Sequence, residues 1–274
     1  MTVRLAIAGA GGRMGQALVE AVLADPGLVL ASALDAHDSP ALGRDAGERI
    51  GRASGVIVDS DVSRALAAAD VLIDFTRPAG TLAHVAACEA AQVAIVVGTT
   101  GLDDAAKARL RAAGERIPVV FAANMSIGVN VLLELTRLAA QRLGGAFDIE
   151  VLEMHHRHKV DAPSGTALAL GEAAAEGLAV PLAEHAVYER HGVTGERQAG
   201  AIGFAALRGG DVVGEHTVIF AGPGERVELT HRATSRQNFA AGALRAARFV
   251  AQRRAQGHAG FFTMADVLEL GTRT

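Results

Sequence analysis

The sequence predicts an α/β fold: a Rossmann-like doubly wound parallel sheet with an inserted α+β domain. Three observations predict it. Short apolar runs rich in β-branched residues alternate with helix-period runs through the first 125 residues, and strands apolar on both faces belong in a parallel sheet covered by helices. A glycine-rich turn, Gly9-Ala10-Gly11-Gly12-Arg13-Met14-Gly15, separates the first strand from the first helix. After Ser126 the pattern changes to strands divided by glycine-rich turns, and residues 240–255 return to a helical pattern.

Residues 3–8 read as a strand, 12–24 as a helix and 28–34 as the next strand. The Gly/Asp/Ser-rich span 36–55 reads as loop. Strands at 71–75 and 93–97 are each followed by a helical pattern, at 79–91 and 103–113, and 118–122 is a further strand. Residues 127–143 form a helix. The strand that follows puts Ile149, Val151, Glu153 and His155 on one face, with Leu152 and Met154 on the other. A helix at 164–178 opens on Ser164, and 201–207, 212–220 and 226–230 read as strands whose turns favour antiparallel pairing. Residues 265–270 make a last helical turn. The expected division is a dinucleotide-binding domain at 1–126, a substrate-binding and oligomerisation domain at 127–235, and a segment at 236–274 that packs back on the first.

The 274 residues, half of them hydrophobic, are enough for two ordinary domains. A net charge of −4 argues against a nucleic-acid or membrane-surface partner. Cys88 is the single cysteine, so no intrachain disulfide forms, and its Ala-rich apolar surroundings predict an inert buried thiol. The chain enters its first strand without a signal peptide and has no run of membrane-spanning length, so the cytoplasm is the expected location.

The glycine turn stands where a dinucleotide pyrophosphate binds, because small residues let the backbone approach the phosphates and a helix start supplies N–H donors. Asp35 ends the second strand, 20 residues past Gly15, where an acid accepts hydrogen bonds from the adenosine ribose. Gly9, Ala10, Gly11, Gly12, Arg13, Met14 and Asp35 are therefore expected in the cofactor site. So are Gly98, Thr99 and Thr100, with Ala122, Ala123, Asn124 and Met125, in loops that follow strands at the carboxyl edge of the sheet. A packing turn is the rival explanation for each loop.

The stretch 150–167, E-V-L-E-M-H-H-R-H-K-V-D-A-P-S-G-T-A, gathers His155, His156, Arg157, His158 and Lys159 just before a helix start. His155 and Lys159 lie four apart and share a face in a helix or a strand. The helix start at Ser164-Gly165-Thr166 suits a carboxylate. A solvated basic loop and a histidine metal site are the rivals. Solvated runs favour Lys and Glu over His, and no Cys or His-x3-His pair lies in the segment.

These motifs resemble those of the 4-hydroxy-tetrahydrodipicolinate reductase (dihydrodipicolinate reductase) family over nearly the whole chain. The shared stretches are G-A-G-G-R-M-G at Gly9, D-F-T at Asp74, G-T-T-G at Gly98, N-M-S-I-G-V-N at Asn124, H-H-R-H-K-V-D-A-P-S-G-T-A at His155 and G-D-V-V-G-E-H at Gly210. The resemblance implies reduction of 4-hydroxy-tetrahydrodipicolinate to tetrahydrodipicolinate with NADH or NADPH, in diaminopimelate and lysine synthesis. It implies that His155 is the proton donor/acceptor, Lys159 a second proton donor, His156 a substrate contact, and Gly165 with Thr166 a substrate-carboxylate cradle. It also implies a homotetramer built through the second domain's sheet.

Ala36, His37 and Asp38 follow Asp35 where NADP-using members can carry an Arg, so NADH is expected to serve at least as well as NADPH, with Arg13 the one residue acting the other way. Met125 stands where some relatives have an aromatic. A reductase of another imino or keto acid and a non-catalytic dinucleotide sensor are the rival functions. The pairing of His155 with Lys159 favours an enzyme.

Overall fold

The structure, a computed structural model, describes residues 2–270. Its elements are β1 (Val3–Ala8), α1 (Arg13–Ala24), β2 (Leu28–Leu34), β3 (Val58–Asp59), α2 (Val62–Ala68), β4 (Val71–Asp74), α3 (Pro78–Ala91), β5 (Ala94–Val97), α4 (Asp104–Ala113) and β6 (Pro118–Phe121). They continue as α5 (Ile127–Leu143), β7 (Asp148–His155), α6 (Gly165–Leu178), α7 (Leu182–His185), β8 (Ala186–Val187), β9 (Ile202–Arg208), β10 (Gly214–Gly222) and β11 (Glu225–Ala233). The chain closes with α8 (Gln237–Ala255), β12 (Gly260–Phe262) and α9 (Met264–Leu268). Two compact units result: one holds the residues up to Ile127 with those from Arg236 onward, the other Gly128–Ser235.

The first unit carries a seven-stranded sheet in the order β12-β6-β5-β4-β1-β2-β3, with every pairing parallel. Alternation along β1 sends Leu5 and Ile7 to one face and Ala6 and Ala8 to the other, and all four are buried. Leu18, Val19 and Val22 of α1 cover the first face together with Ala243, Ala247 and Val250 of α8. Leu66 of α2, Val85 and Cys88 of α3 and Leu110 of α4 cover the second. The strand order reverses between β1 and β4, so the loops after these two strands flank the crevice where ligands of such sheets bind. Cys88 is fully buried, and burial pushes its thiol pKa up, which keeps it unreactive.

The second unit is a mixed sheet, β11-β10-β7-β9-β8, packed on α5 and α6 through Leu132, Ile149, Val151, Leu170, Phe204, Val218 and Phe220. Two expectations need correction. Residues 201–207 do form a strand, but β9 lies parallel to β7, and only β10 pairs antiparallel, with β7 and β11. β9 and β10 flank β7, so the glycine turn between them is no hairpin. The strand face that was to carry His155 and Lys159 stops at His155; residues 156–159 turn, with Lys159 N–H donating to His156 O at 3.1 Å. His158 is likewise off the strand. Five elements had no counterpart in the sequence reading: β3, α2, α7, β8 and β12. Among the described residues no helix is long and apolar enough to cross a membrane.

Candidate active site

In the first unit the glycine turn is built for close approach. Gly9 has φ +71° and its carbonyl accepts the Gly12 N–H at 2.9 Å. A Cβ on Gly15 would run into the Gly9 carbonyl and lie 2.6 Å from Ala10 Cα, so glycine there sets how tightly α1 sits on the turn. Gly12 is the N-cap of α1 and makes no side-chain cap hydrogen bond, and the first turn holds no acid. The N–H groups and dipole of that turn are thus left for an anion. Asp35 stands beside it: its Oδ2 accepts the Gly11 N–H at 2.7 Å and its Oδ1 the Ala36 N–H at 2.8 Å. Each oxygen keeps acceptor capacity for a ribose hydroxyl. These features fit a dinucleotide.

A cavity of about 310 Å³ in the same unit is lined by Met14, Gly98, Thr99, Thr100, Ala123, Asn124 and Met125, all expected there, and by Phe75, Thr76, Arg236 and Phe239, which were not. Ala122 directly follows β6, and its N–H donates to Val97 O at 3.1 Å; it does not line the cavity. Arg236 and Phe239 come from the start of the returning α8; the sequence signal was only that a C-terminal helix packs back on this sheet. The loops are held by Asp74, fully buried at the end of β4. It accepts the Thr76 N–H and hydroxyl, both at 2.7 Å, meets His84 Nδ1 at 2.8 Å, and takes the Thr99 hydroxyl at 3.3 Å. Burial alone would raise this carboxyl's pKa, but the His84 hydrogen bond and charge and the Thr76 hydrogen bonds outweigh it, and the net direction is down. Thr99 also receives the Thr81 hydroxyl at 2.8 Å, so its side chain serves the loop rather than the cavity.

In the second unit the proton-carrying groups sit on a charged network. Glu153, 1% exposed, takes both Arg208 guanidinium nitrogens at 2.8 Å, His155 Nδ1 at 2.6 Å and the Ser164 N–H at 3.1 Å. Desolvation raises its pKa, and the Arg208 and His155 contacts outweigh it, so it is ionised and only accepts. His155 Nδ1 therefore carries the proton, and Nε2 is its acid/base atom. His155's own pKa lies below the usual imidazole range, first from burial, with Glu153 opposing, so the resting ring is neutral near pH 7. A Cβ on Gly214 would stand 3.0 Å from Nε2, so glycine there keeps that nitrogen clear.

Lys159 Nζ is held 2.9 Å from each Asp161 carboxylate oxygen, and the Asp161 carbonyl receives Arg208 at 2.7 Å. His156 is fixed by its N–H to Val212 O at 2.8 Å, and its ring Nδ1 is buried without a partner among the described residues. Ser164 caps α6, accepting the Ala167 N–H at 3.1 Å and meeting His216 Nε2 at 2.9 Å. Gly165 opens the helix, and a Cβ there would meet nothing within 4 Å, so open space adjoins the helix start; Thr166 follows in the first turn. Glu153, Arg208 and His216 had been given no role from sequence, and Ser164 only that of opening the helix. Among the described residues no group of three or more His, Cys, Asp or Glu is arranged to hold a metal ion.

His216 packs edge-on against His155 at 5.1 Å, and burial, then the His155 charge, lowers its pKa from 6.5 to about 4. A folded-state pKa below the unfolded one means the unfolded chain binds the proton first. This contribution to stability is present above pH 6.5 and is lost as the pH falls toward about 4. The second unit should lose up to roughly 3 kcal/mol across that window, and His216→Asn should flatten the slope. The single tyrosine, Tyr188, stacks on Phe204 in this unit and reports its unfolding by fluorescence in urea at each pH. An unchanged slope in the variant would refute the assignment.

Comparison with known proteins agrees with both halves. The family model for the N-terminus of dihydrodipicolinate reductase matches residues 3–125, and that for its C-terminus matches residues 128–268. A Laribacter hongkongensis protein named 4-hydroxy-tetrahydrodipicolinate reductase is 58% identical over 268 residues, covering 98% of each chain. A Burkholderia pseudomallei protein of the same name is 57% identical over 270 residues, covering 98% of this chain and 99% of its own. The solved structure of a dipicolinate-bound dihydrodipicolinate reductase from a Paenisporosarcina species superimposes with a TM-score of 0.75 at 25% identity, covering 97% of this chain and 99% of that one.

Proposed function

This chain belongs to the dihydrodipicolinate reductase family, and we infer that it reduces 4-hydroxy-tetrahydrodipicolinate to tetrahydrodipicolinate with a reduced nicotinamide cofactor, a step of diaminopimelate and lysine synthesis. The observation that carries the reading is the pairing of a buried Glu153–His155 couple with open space at the start of α6. Bound nicotinamide supplies the hydride. The glycine turn Gly9 to Met14 with Asp35 binds the adenosine and pyrophosphate end; the loops at Gly98, Thr99 and Thr100 and from Ala123 to Met125 bind the other.

The substrate ring is a cyclic imine with two carboxylates. Water leaves from C4 as hydroxyl plus one ring proton, and reduction then adds one hydride and one proton. Neutral His155 accepts and returns a proton at Nε2, and the Lys159 ammonium donates to the electron density that hydride addition builds on the imine system. His156 contacts the substrate through its ring, and Gly165 and Thr166 take a carboxylate at the helix start. The buried lone cysteine and the cofactor fit a cytoplasmic setting.

Supplying the fresh condensation product of pyruvate and aspartate semialdehyde, and following loss of NADH or NADPH absorbance, tests this directly. His155→Ala and Lys159→Ala should each lower turnover about 100-fold or more, the scale for losing a positioned proton donor. Near-normal turnover in both would remove them from the mechanism.

NADH should be used at least as well as NADPH. Asp35 offers acceptors to a ribose diol and repels a 2′-phosphate, and Ala36 supplies no counter-charge. The ratio of kcat/KM for the two cofactors at saturating substrate measures this; an NADPH preference of about tenfold, roughly 1.4 kcal/mol, would contradict it.

The chain assembles as a homotetramer through the second unit's sheet. In support, the sheet face away from α5 and α6 carries Leu152, Met154, Ile219 and the 48%-exposed Leu207. Light scattering on the whole chain should return a tetramer, and a monomer would refute it.

A further inference from the structure

The loop between β2 and β3 contains three arginines, Arg44, Arg49 and Arg52, that the acid/base and glycine motifs do not use. The loop is not a loose connection. The Asp45 carboxylate accepts the Gly47 N–H at 2.8 Å, the Ser54 N–H at 2.9 Å, the Ser54 hydroxyl at 2.8 Å and the Gly55 N–H at 2.8 Å. Backbone hydrogen bonds from Gly43 to Val58 and from Ala46 to Val56 close its base. Gln16 of α1 donates to both Ala10 O at 2.6 Å and Ala46 O at 3.3 Å, which fastens the loop to the glycine turn.

The consequence is where Arg49 lands. Its Nη1 donates to Gly11 O at 2.7 Å, while the N–H of the same Gly11 donates to Asp35. One residue thus joins the ribose-reading acid to a guanidinium. A cavity of about 350 Å³ opens here, lined by Gly11, Ser39, Ala41, Arg44, Glu48 and Arg49. The acids beside it are engaged: Asp45 by the loop, Glu48 by Arg44 at 3.6 Å. Arg49 is exposed and has no carboxylate within ion-pair distance among the described residues. One of its five N–H donors is used, and the rest suit a phosphate, which arginine takes bidentately. Gln16, whose amide fastens the loop to the glycine turn, lines the same cavity.

We propose that Arg49 is a phosphate-binding residue at the adenosine end of the dinucleotide site, accepting a ribose 2′-phosphate that Asp35 alone would repel. The inference rests on the dinucleotide reading of the glycine turn. It makes the site dual: Asp35 serves the free diol, and Arg49 offsets the repulsion when the phosphate is present.

Direct binding decides it. Dissociation constants of NADH, NADPH, 5′-ADP and 2′,5′-ADP are measured by calorimetry for the wild type, Arg49→Gln and Arg49→Glu, with thermal melts as a check on folding. Gln keeps a donor for Gly11 O and removes the charge, so loop anchoring and phosphate binding are separated. The expected result for Arg49→Gln is a loss of about tenfold or more for NADPH and 2′,5′-ADP, with NADH and 5′-ADP within about twofold. Arg49→Glu should exceed that loss for the two 2′-phosphate ligands. Equal loss for all four ligands would overturn the proposal and make Arg49 an anchor of the turn, as would no loss for any. A wild type that binds none of the four would instead overturn the dinucleotide reading itself.

Discussion

Glu153 is the group on which the proton-handling unit depends. It is a carboxylate with almost no access to water, and such a charge is tolerated only when paired and fully hydrogen-bonded. Arg208 binds both of its oxygens, and the two remaining bonds, from His155 and the Ser164 backbone, do the functional work. The first fixes the tautomer of the imidazole and so decides which nitrogen exchanges protons. The second places the residue that caps α6, and with it the helix start that meets a substrate carboxylate. Acid/base geometry and substrate orientation share one anchor. Moving Glu153 would disturb both at once and strand a buried guanidinium-facing pocket without its counter-charge.

The first unit uses the same device. Asp74 is buried at the end of β4 and gathers Thr76, His84 and Thr99, drawn from the loop after β4, from α3 and from the loop after β5. In each unit a strand carries a carboxylate into the interior near its carboxyl end. The loops around it are then arranged by hydrogen bonds that cannot be exchanged for water. This is preorganisation with a physical cause, since the cost of burying the charge is recovered only when every loop is in place. It also accounts for the D-F-T motif, whose aspartate is fully buried and whose Phe75 and Thr76 line the cavity.

What was legible in the sequence is what local periodicity encodes. The alternation from Ile149 to His155 gave the buried face of β7, and the glycine turn with Asp35 gave the dinucleotide-type βαβ start. Pairing partners were not legible. The glycine turn between β9 and β10 looks like a hairpin until β7 is seen between the two strands. The short α2 and the three-residue β12 lack enough turns or alternation to register. Glu153 was seen on the right face but without a role, because its partner Arg208 lies 55 residues away and only the β7–β9 pairing brings them together. The shared face of His155 and Lys159 failed for a similar reason: the chain turns at His156, and Lys159 is placed by Asp161 instead of by a strand.

The segment after β2 shows the same limit in electrostatics. Weighing the residues next to Asp35 finds Ala36, His37 and Asp38, an environment hostile to a further negative charge. That sum treats the chain as if neighbours in sequence were neighbours in space. The loop is instead drawn together by Asp45, whose four loop hydrogen bonds pull its carboxyl pKa down to about 2 and keep it charged over the whole physiological range. With that carboxylate fixed, the loop returns to the glycine turn, and Arg49, 14 positions past Asp35, ends one residue's backbone away from it. The charge that a phosphate meets at this end of the site is therefore set by where the loop closes. A substitution that loosened Asp45's ring of donors would change it as surely as one at Arg49.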